Sequence, residues 1–365
     1  MNHHKEAIKK HIQNLPFGES VLLPMARFIL QNKYYVKMRK GLCEKREADY
    51  ILKSLKSNDF TEAVIAYDMK VSPPTYGDFF YVVMIARFFL IMGKKVNFFI
   101  INSEFRKDML DAYDDEGCRG LVVSLSELPK VILTDNNCDT QITNWHDISV
   151  KIDNFEKQGK TLIVFKHKVK NRESIYNHCF NLSNYLAASM DNNQIEKFLL
   201  RKNEIDSRVN IKYPKLPYIT WAARYSEKWG FDRNITENDF TEIYLSLHSL
   251  YPSCAIMIVS DEIGCNYFKK LARKNNLPCL FSKDFSDTFM GDCALIIGSD
   301  YFFQLRGGGI CTAAIYSSLP YHMVFEPVHE TAWEKNSLAV WSHNKQNWEK
   351  GTEGWRFRTK PATEC

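Results

Sequence analysis

Four polar clusters placed just past apolar runs are the residues of this chain best suited to chemistry. They close the segments Ile219-Thr220-Trp221-Ala222-Ala223-Arg224, Ile256-Met257-Ile258-Val259-Ser260-Asp261 and Ala294-Leu295-Ile296-Ile297-Gly298-Ser299-Asp300, followed by Arg306-Gly307-Gly308-Gly309. Each apolar run reads as a buried strand, and ligands of open α/β sheets bind outside the carboxyl ends of the strands. Arg, Ser-Asp and Gly clusters at those ends suit a nucleotide or phosphate ligand.

Each cluster has a sharper and a plainer reading. Arg306 can give a bidentate contact to phosphate, and Gly307, Gly308 and Gly309 let a backbone come close to it. A helix starting near Ile310, with Thr312 in its first turn, would add N–H groups that attract anions. The plainer reading is a tight turn with a surface arginine. Arg224, followed by Tyr225, Ser226 and Lys228, is a natural pyrophosphate partner or else a salt-bridged surface residue. Ser260 and Asp261 suit a base or ribose, and equally a helix cap. Ser299 and Asp300 occupy the same kind of place after the next apolar run. Asp78, after Gly77, is a helix cap or, at an interdomain cleft, a general base. His146, His167 and His178 stand apart from any motif and read as structural.

Composition narrows the classes. With 365 residues, 45% hydrophobic and 25% charged, the chain has the length of about two globular domains. A net charge of +5 is mild for a nucleic-acid binder, and no nucleic-acid partner is expected. The ten cysteines are scattered without a C-x-x-C pair, which argues against zinc and for a reducing cytoplasm. No D-x-D, G-x-S-x-G, Walker A or H-E-x-x-H motif occurs. The start of the chain lacks the apolar stretch of a signal peptide, and Arg87 interrupts the longest apolar run.

The elements that must position these residues follow from the pattern. Residues 1–60 form an N-terminal helical segment. Within it, residues 21–40 read as a basic amphipathic helix, able to lie on an anionic membrane or simply solvated on its basic face. Residues 61–215 read as one Rossmann-like domain. Its strands are expected at 63–67, 95–101, 121–123, 131–133 and 161–165, with a helix over 79–92 stopped by Gly93. Residues 216–327 read as a second such domain, with strands at 218–222, 255–259, 279–281, 294–297 and 321–325 and helices at 238–250, 266–275 and 310–319. Residues 328–365, with Trp333, Trp341, Trp348 and Trp355, form an irregular tail that would cross back to the first domain.

The run from Ile219 to Leu319 resembles the donor domain of GT-B glycosyltransferases, in the fucosyltransferase-like branch. Arg224, Ser260, Asp261, Ser299 and Asp300 fall where that branch carries its Arg, Ser/Thr-Asp and Asp positions. Tyr76-Gly77-Asp78 is similar to the Gly-Asp loop of heptosyltransferase-like members. Ala222-Ala223-Arg224-Tyr225 departs from the fucosyltransferase signature, so fucose is not implied. The resemblance implies two Rossmann-like domains facing each other across a cleft. It implies a cytoplasmic enzyme of bacterial surface-polysaccharide biosynthesis, at the inner face of the membrane. Such an enzyme moves a sugar from a nucleotide-sugar to a glycan or lipid-linked acceptor. Asp78 would be the base of an inverting displacement. Arg224, Lys228, Arg306 and the glycine turn would hold the diphosphate, with no cofactor and no metal required. Two rivals share the architecture: a sugar-nucleotide epimerase and a non-catalytic partner subunit. A phosphoryl-type transferase is a third rival.

Overall fold

The computed structural model of the chain describes residues 33–106, 114–133, 137–227, 234–305, 308–325 and 347–350. It opens with helix α1 (Lys33–Ser57), which lies within the expected helical segment; residues 21–32 of the expected basic helix fall outside the described residues. Strand β1 (Glu62–Asp68), helix α2 (Tyr76–Ile91) and strand β2 (Lys95–Ile101) follow as an alternating unit. Both strands are nearly continuous apolar runs, as strands covered on both faces must be. Helix α2 has eleven buried residues, Phe79 to Phe89 without a break. It is a central helix, covered on every side.

Arg87 is tolerated inside that helix because its donors are used. Its Nε donates to the Phe198 carbonyl at 2.9 Å, and Nη1 and Nη2 reach Glu204 at 2.7 and 2.9 Å. The Ile132 and Lys197 carbonyls take further bonds at 2.9 and 2.7 Å. Gly93 ends the helix at φ 73°, the left-handed region where a side chain is strained.

Two expected strands are helices instead. Residues 121–123 lie in α3 (Asp115–Leu125) and residues 131–132 in α4 (Glu127–Ile132). Asp114 caps α3 by accepting from Gly117 N at 2.7 Å, so the Leu-Val-Val run takes the helical state despite its β-branched residues. The true third strand, β3 (Cys138–Thr143), is a polar edge strand followed by helix α5 (Trp145–Gln158) and strand β4 (Thr161–Ile163). The first sheet is wholly parallel in the order β3-β2-β1-β4. Helices α6 (Lys166–Lys170), α7 (Tyr176–Ala187), α8 (Asn192–Phe198) and α9 (Lys202–Asp206) then lead to the second domain.

The second domain contains β5 (Tyr218–Ala222), α10 (Glu237–Leu250), β6 (Ala255–Val259), α11 (Glu262–Lys274) and β7 (Cys279–Phe281). The next apolar run, 294–297, is not a strand but the end of helix α12 (Phe289–Ile297). A short apolar run cannot be told from a buried helix by its pattern alone. The strand is β8 (Phe302–Leu305), one element later, and the expected helix at 310–319 is only α13 (Cys311–Ile315). Strand β9 (Tyr321–Phe325) is paired by β10 (Asn347–Lys350). The four described residues of the tail therefore extend the second sheet. All pairings are parallel, in the order β10-β9-β8-β5-β6-β7. This is the Rossmann order, with its switch point between β5 and β8.

The two domains share one core. Residues of α2 and α7 pack in the same buried cluster as residues of α12 and α13. Tyr316 sits at the junction, stacked on Phe80 (centroids 6.0 Å, 6°), with its hydroxyl 2.7 Å from Ser183 Oγ and its carbonyl accepting from Leu200 N at 2.7 Å. Tyr76 stacks on Phe289 at 4.0 Å and 15°. Beside that stack, Gly77 meets Gly309 backbone to backbone. A Cβ on Gly309 would fall 2.6 Å from Gly77 N, and one on Gly77 would fall 2.8 Å from Gly309 Cα.

This contact makes a prediction. Gly309→Ala should destabilise the protein by about 1–3 kcal/mol, the usual cost of overpacking. Gly308→Ala should not, because its Cβ would meet only Gln304 Nε2 at 3.6 Å. Thermal melts of the two variants against the parent test it.

Candidate active site

A cleft of 1410 Å³ separates the domains on one side of their contact. Its second-domain wall is built from the carboxyl ends of successive strands: Arg224 and Tyr225 after β5, Ser260 and Asp261 after β6, Lys283 after β7, and Gln304 in β8. Residues 74–77 at the start of α2, with Leu121, Ser124 and Val131, form the opposite wall. Arg208, Val209 and Asn210 from the connection close one end. The cleft thus straddles the switch point, where α/β sheets bind ligands.

The expected site residues divide. Arg224, Ser260, Asp261, Gly308 and Gly309 line the cleft. Asp261 also caps α11, accepting from Gly264 N at 2.7 Å, so the cap reading of it holds. Gly309 approaches another backbone, that of Gly77. Lys228, Arg306 and Gly307 lie outside the described residues.

Three expected residues are corrected: Ser299, Asp300 and Thr312. Ser299 and Asp300 lie at the amino end of the second sheet, away from the cleft. Ser299 is buried, 3.0 Å from Thr220 Oγ1 and donating to the Ile296 carbonyl at 2.7 Å, while Asp300 N donates to the carbonyl of Tyr218, the first residue of β5. The misplacement follows from reading α12 as a strand. Thr312 is fully buried and donates to the Gly309 carbonyl at 2.7 Å, so it braces the glycine turn and does not face a ligand. Asp78 is half-buried in the first turn of α2, directly after Gly77 and bonded to Thr75, both of which line the cleft. Thr75 Oγ1 donates to its Oδ2 at 2.7 Å, and burial raises its pKa against that bond.

Three cleft residues were passed over. Lys283 follows β7 by the same rule that singled out Arg224. Asp292 and Gln304 were hidden because the intervening elements were misassigned. Lys283 Nζ lies 2.6 Å from Asp292 Oδ2, with side chains 16% and 8% exposed. Burial raises Asp292 to about 6, against the pull of Lys283. Above that pH the pair is charge-balanced; below it Asp292 is neutral and Lys283 carries a net positive charge in the cleft.

Tyr225 stacks on Tyr267 at 3.8 Å and 9°, an aromatic rim on the second-domain side. Among the described residues no group of three or more His, Cys, Asp or Glu side chains is placed to hold a metal ion. No helix of the described residues is long and apolar enough to cross a membrane.

Strand order and cleft together define a protein of two Rossmann-like domains facing each other, the architecture that the GT-B resemblance implies. Sequence comparison finds no matching protein family and no matching curated protein. Among solved structures, the chain is similar to the E. coli heptosyltransferase WaaC with ADP, at 10% identity and a TM-score of 0.43, over 80% of this chain and 93% of that one. It is also similar to a family 9 glycosyl transferase from Veillonella parvula, at 8% identity and a TM-score of 0.45, over 82% and 89%. A third is the E. coli ADP-heptose lps heptosyltransferase II, at 9% identity and a TM-score of 0.40, over 73% and 85%. At such values the assignment of architecture rests on the strand orders and the cleft themselves.

The Lys283–Asp292 pair yields a sign-specific expectation. At pH 7.5, Asp292→Asn removes a negative charge from the cleft and should bind inorganic pyrophosphate more tightly than the parent, by roughly five- to tenfold for one partly screened charge. At pH 5 the parent's Asp292 is protonated, so the two affinities should converge. Calorimetric titration at both pH values checks this.

Proposed function

We propose that the chain is a glycosyltransferase that moves a sugar from a nucleotide-sugar to a glycan or lipid-linked acceptor, in the synthesis of a surface polysaccharide. The observation that carries this reading is the cleft itself. It is large enough for a nucleotide-sugar, lies at the Rossmann switch point, and is lined there by Arg224 and Lys283. Cations so placed neutralise the charge that grows on a diphosphate leaving group. Asp261 and the neighbouring Glu262, at the end of the second strand of this domain, suit ribose hydroxyls, the role of an acid at that position in Rossmann sheets. The acceptor would approach from the first-domain wall. Asp78 is the proposed base, since its raised pKa brings it closer to working pH. Displacement by an acceptor hydroxyl activated in this way inverts the anomeric centre. Arg306, Gly307 and Lys228 remain proposed diphosphate contacts.

A second reading has one observation in its favour. A sugar-nucleotide epimerase needs a further acid in the cleft, and Asp292, with a pKa near 6, is one. Incubating the protein with nucleotide-sugar and no acceptor separates the two, because only the epimerase changes the sugar.

A panel of nucleoside diphosphates should reveal one that raises the melting temperature. The stabilisation is about 2.7 kcal/mol at 100 times its dissociation constant. Arg224→Ala and Lys283→Ala should each diminish the shift; a panel with no shift would move the chain to the non-catalytic reading. Asp78→Asn should keep the shift and lower transfer by about 10²–10⁴-fold, the usual worth of a general base. In the parent, transfer should fall as pH drops through the raised pKa of Asp78, because the base must be ionised.

A further inference from the structure

The floor of the cleft contains hydrogen-bonding atoms that the proposed diphosphate contacts leave unused. Gln304 is 2% exposed and stands opposite Ala222 of β5, at the switch point. Its Nε2 faces the Gly308 carbonyl at 3.4 Å. A carbonyl oxygen only accepts, so this contact fixes the orientation of the amide. The remaining atom, Oε1, is buried with no hydrogen-bond partner. Asp292 comes close to the pattern: Oδ2 takes the ion pair with Lys283, while Oδ1 is buried without a well-formed hydrogen bond, the Ser282 hydroxyl standing beside the carboxyl. Both side chains line the cleft.

Buried acceptors without donors are rare in folded proteins, and each one lowers stability. Two in one cleft are completed by a ligand that brings donors. A hydroxyl does so. A carboxylate would set acceptor against acceptor beside the charge of Asp292, and an apolar group would leave both atoms unsatisfied.

We propose that Gln304 and Asp292 form the floor of a subsite for a neutral, hydroxyl-rich sugar, and that they reject a sugar bearing a carboxylate. The assignment rests on the transferase reading: the hydroxyls belong to the transferred sugar, with the diphosphate on Lys283 and Arg224. A site built around acceptors discriminates by leaving its polar atoms unpaired when the wrong group enters.

The test compares Gln304→Leu and Gln304→Met with the parent by calorimetric titration. The probes are UDP, GDP, ADP and CDP, then the glucose and glucuronic acid conjugates of whichever diphosphate binds. The parent should bind the glucose conjugate at least tenfold more tightly than the bare diphosphate, and the glucuronic acid conjugate no more tightly. Both variants should keep the parent's affinity for the diphosphate and lose the glucose increment. Their unliganded melting temperatures should equal or exceed the parent's, because an unpaired buried acceptor has been removed. Equal weakening of diphosphate and conjugate would overturn the subsite, as would tight binding of the glucuronic acid conjugate. Diphosphate binding with an unchanged glucose increment in the variants would overturn the subsite and leave the transferase reading standing. No binding of any diphosphate would overturn that reading and the subsite with it.

Discussion

The close approach of two glycine backbones, Gly77 at the start of α2 and Gly309 after β8, sets the spacing between the domains. A side chain on either would collide with main-chain atoms, which cannot swing aside as a side chain can. The Tyr76–Phe289 stack and the buried Tyr316 hydroxyl fasten the same junction on either side. Because packed interiors resist deformation, this contact transmits the position of one sheet to the other. The cleft is what remains open beside it. Its first-domain wall begins with the residues of the glycine contact itself, so the walls of the site and the join between domains are one piece of chain.

Within that frame, the parallel strands of the second sheet decide what the cleft contains. Each strand ends at the same edge, so the residue just past each end enters one space. Arg224, Asp261 and Lys283 converge for this reason, though they are far apart in sequence. The cleft is not uniformly basic. Lys283 is held by a buried carboxylate, and the acids at the start of α11 face the same space. Cations beside acceptors fit a ligand that is anionic at one part and hydroxyl-rich at another, as a nucleotide-sugar is.

Much of this was legible in the chain. Strands β1, β2, β5, β6 and β9 and helices α2 and α10 follow from apolar runs punctuated by glycine and proline, and the two-domain division follows with them. The strand-end rule singled out Arg224, Ser260 and Asp261, and all three line the cleft. The rule failed where an apolar run was ambiguous. Residues 294–296 are buried on a helix between the domains, and a helix buried on nearly every side has no amphipathic stripe to reveal it. That single exchange of helix for strand moved Ser299 and Asp300 to the wrong edge of the sheet and hid Gln304 and Asp292. Strand β3 was missed for the opposite reason: as a polar edge strand it lacks the apolar run that marks its neighbours. The use of Gly309 as a spacer was not legible at all, because it depends on Gly77, more than two hundred residues away.

The most direct test of the account is to photocrosslink an azido-substituted form of the nucleotide selected by binding, and to map the labelled peptides. The account predicts label within the second domain, at the turns after β5 and β6, that is removed by competing nucleotide-sugar. Label confined to the first sheet, or label that nucleotide-sugar does not displace, would contradict it.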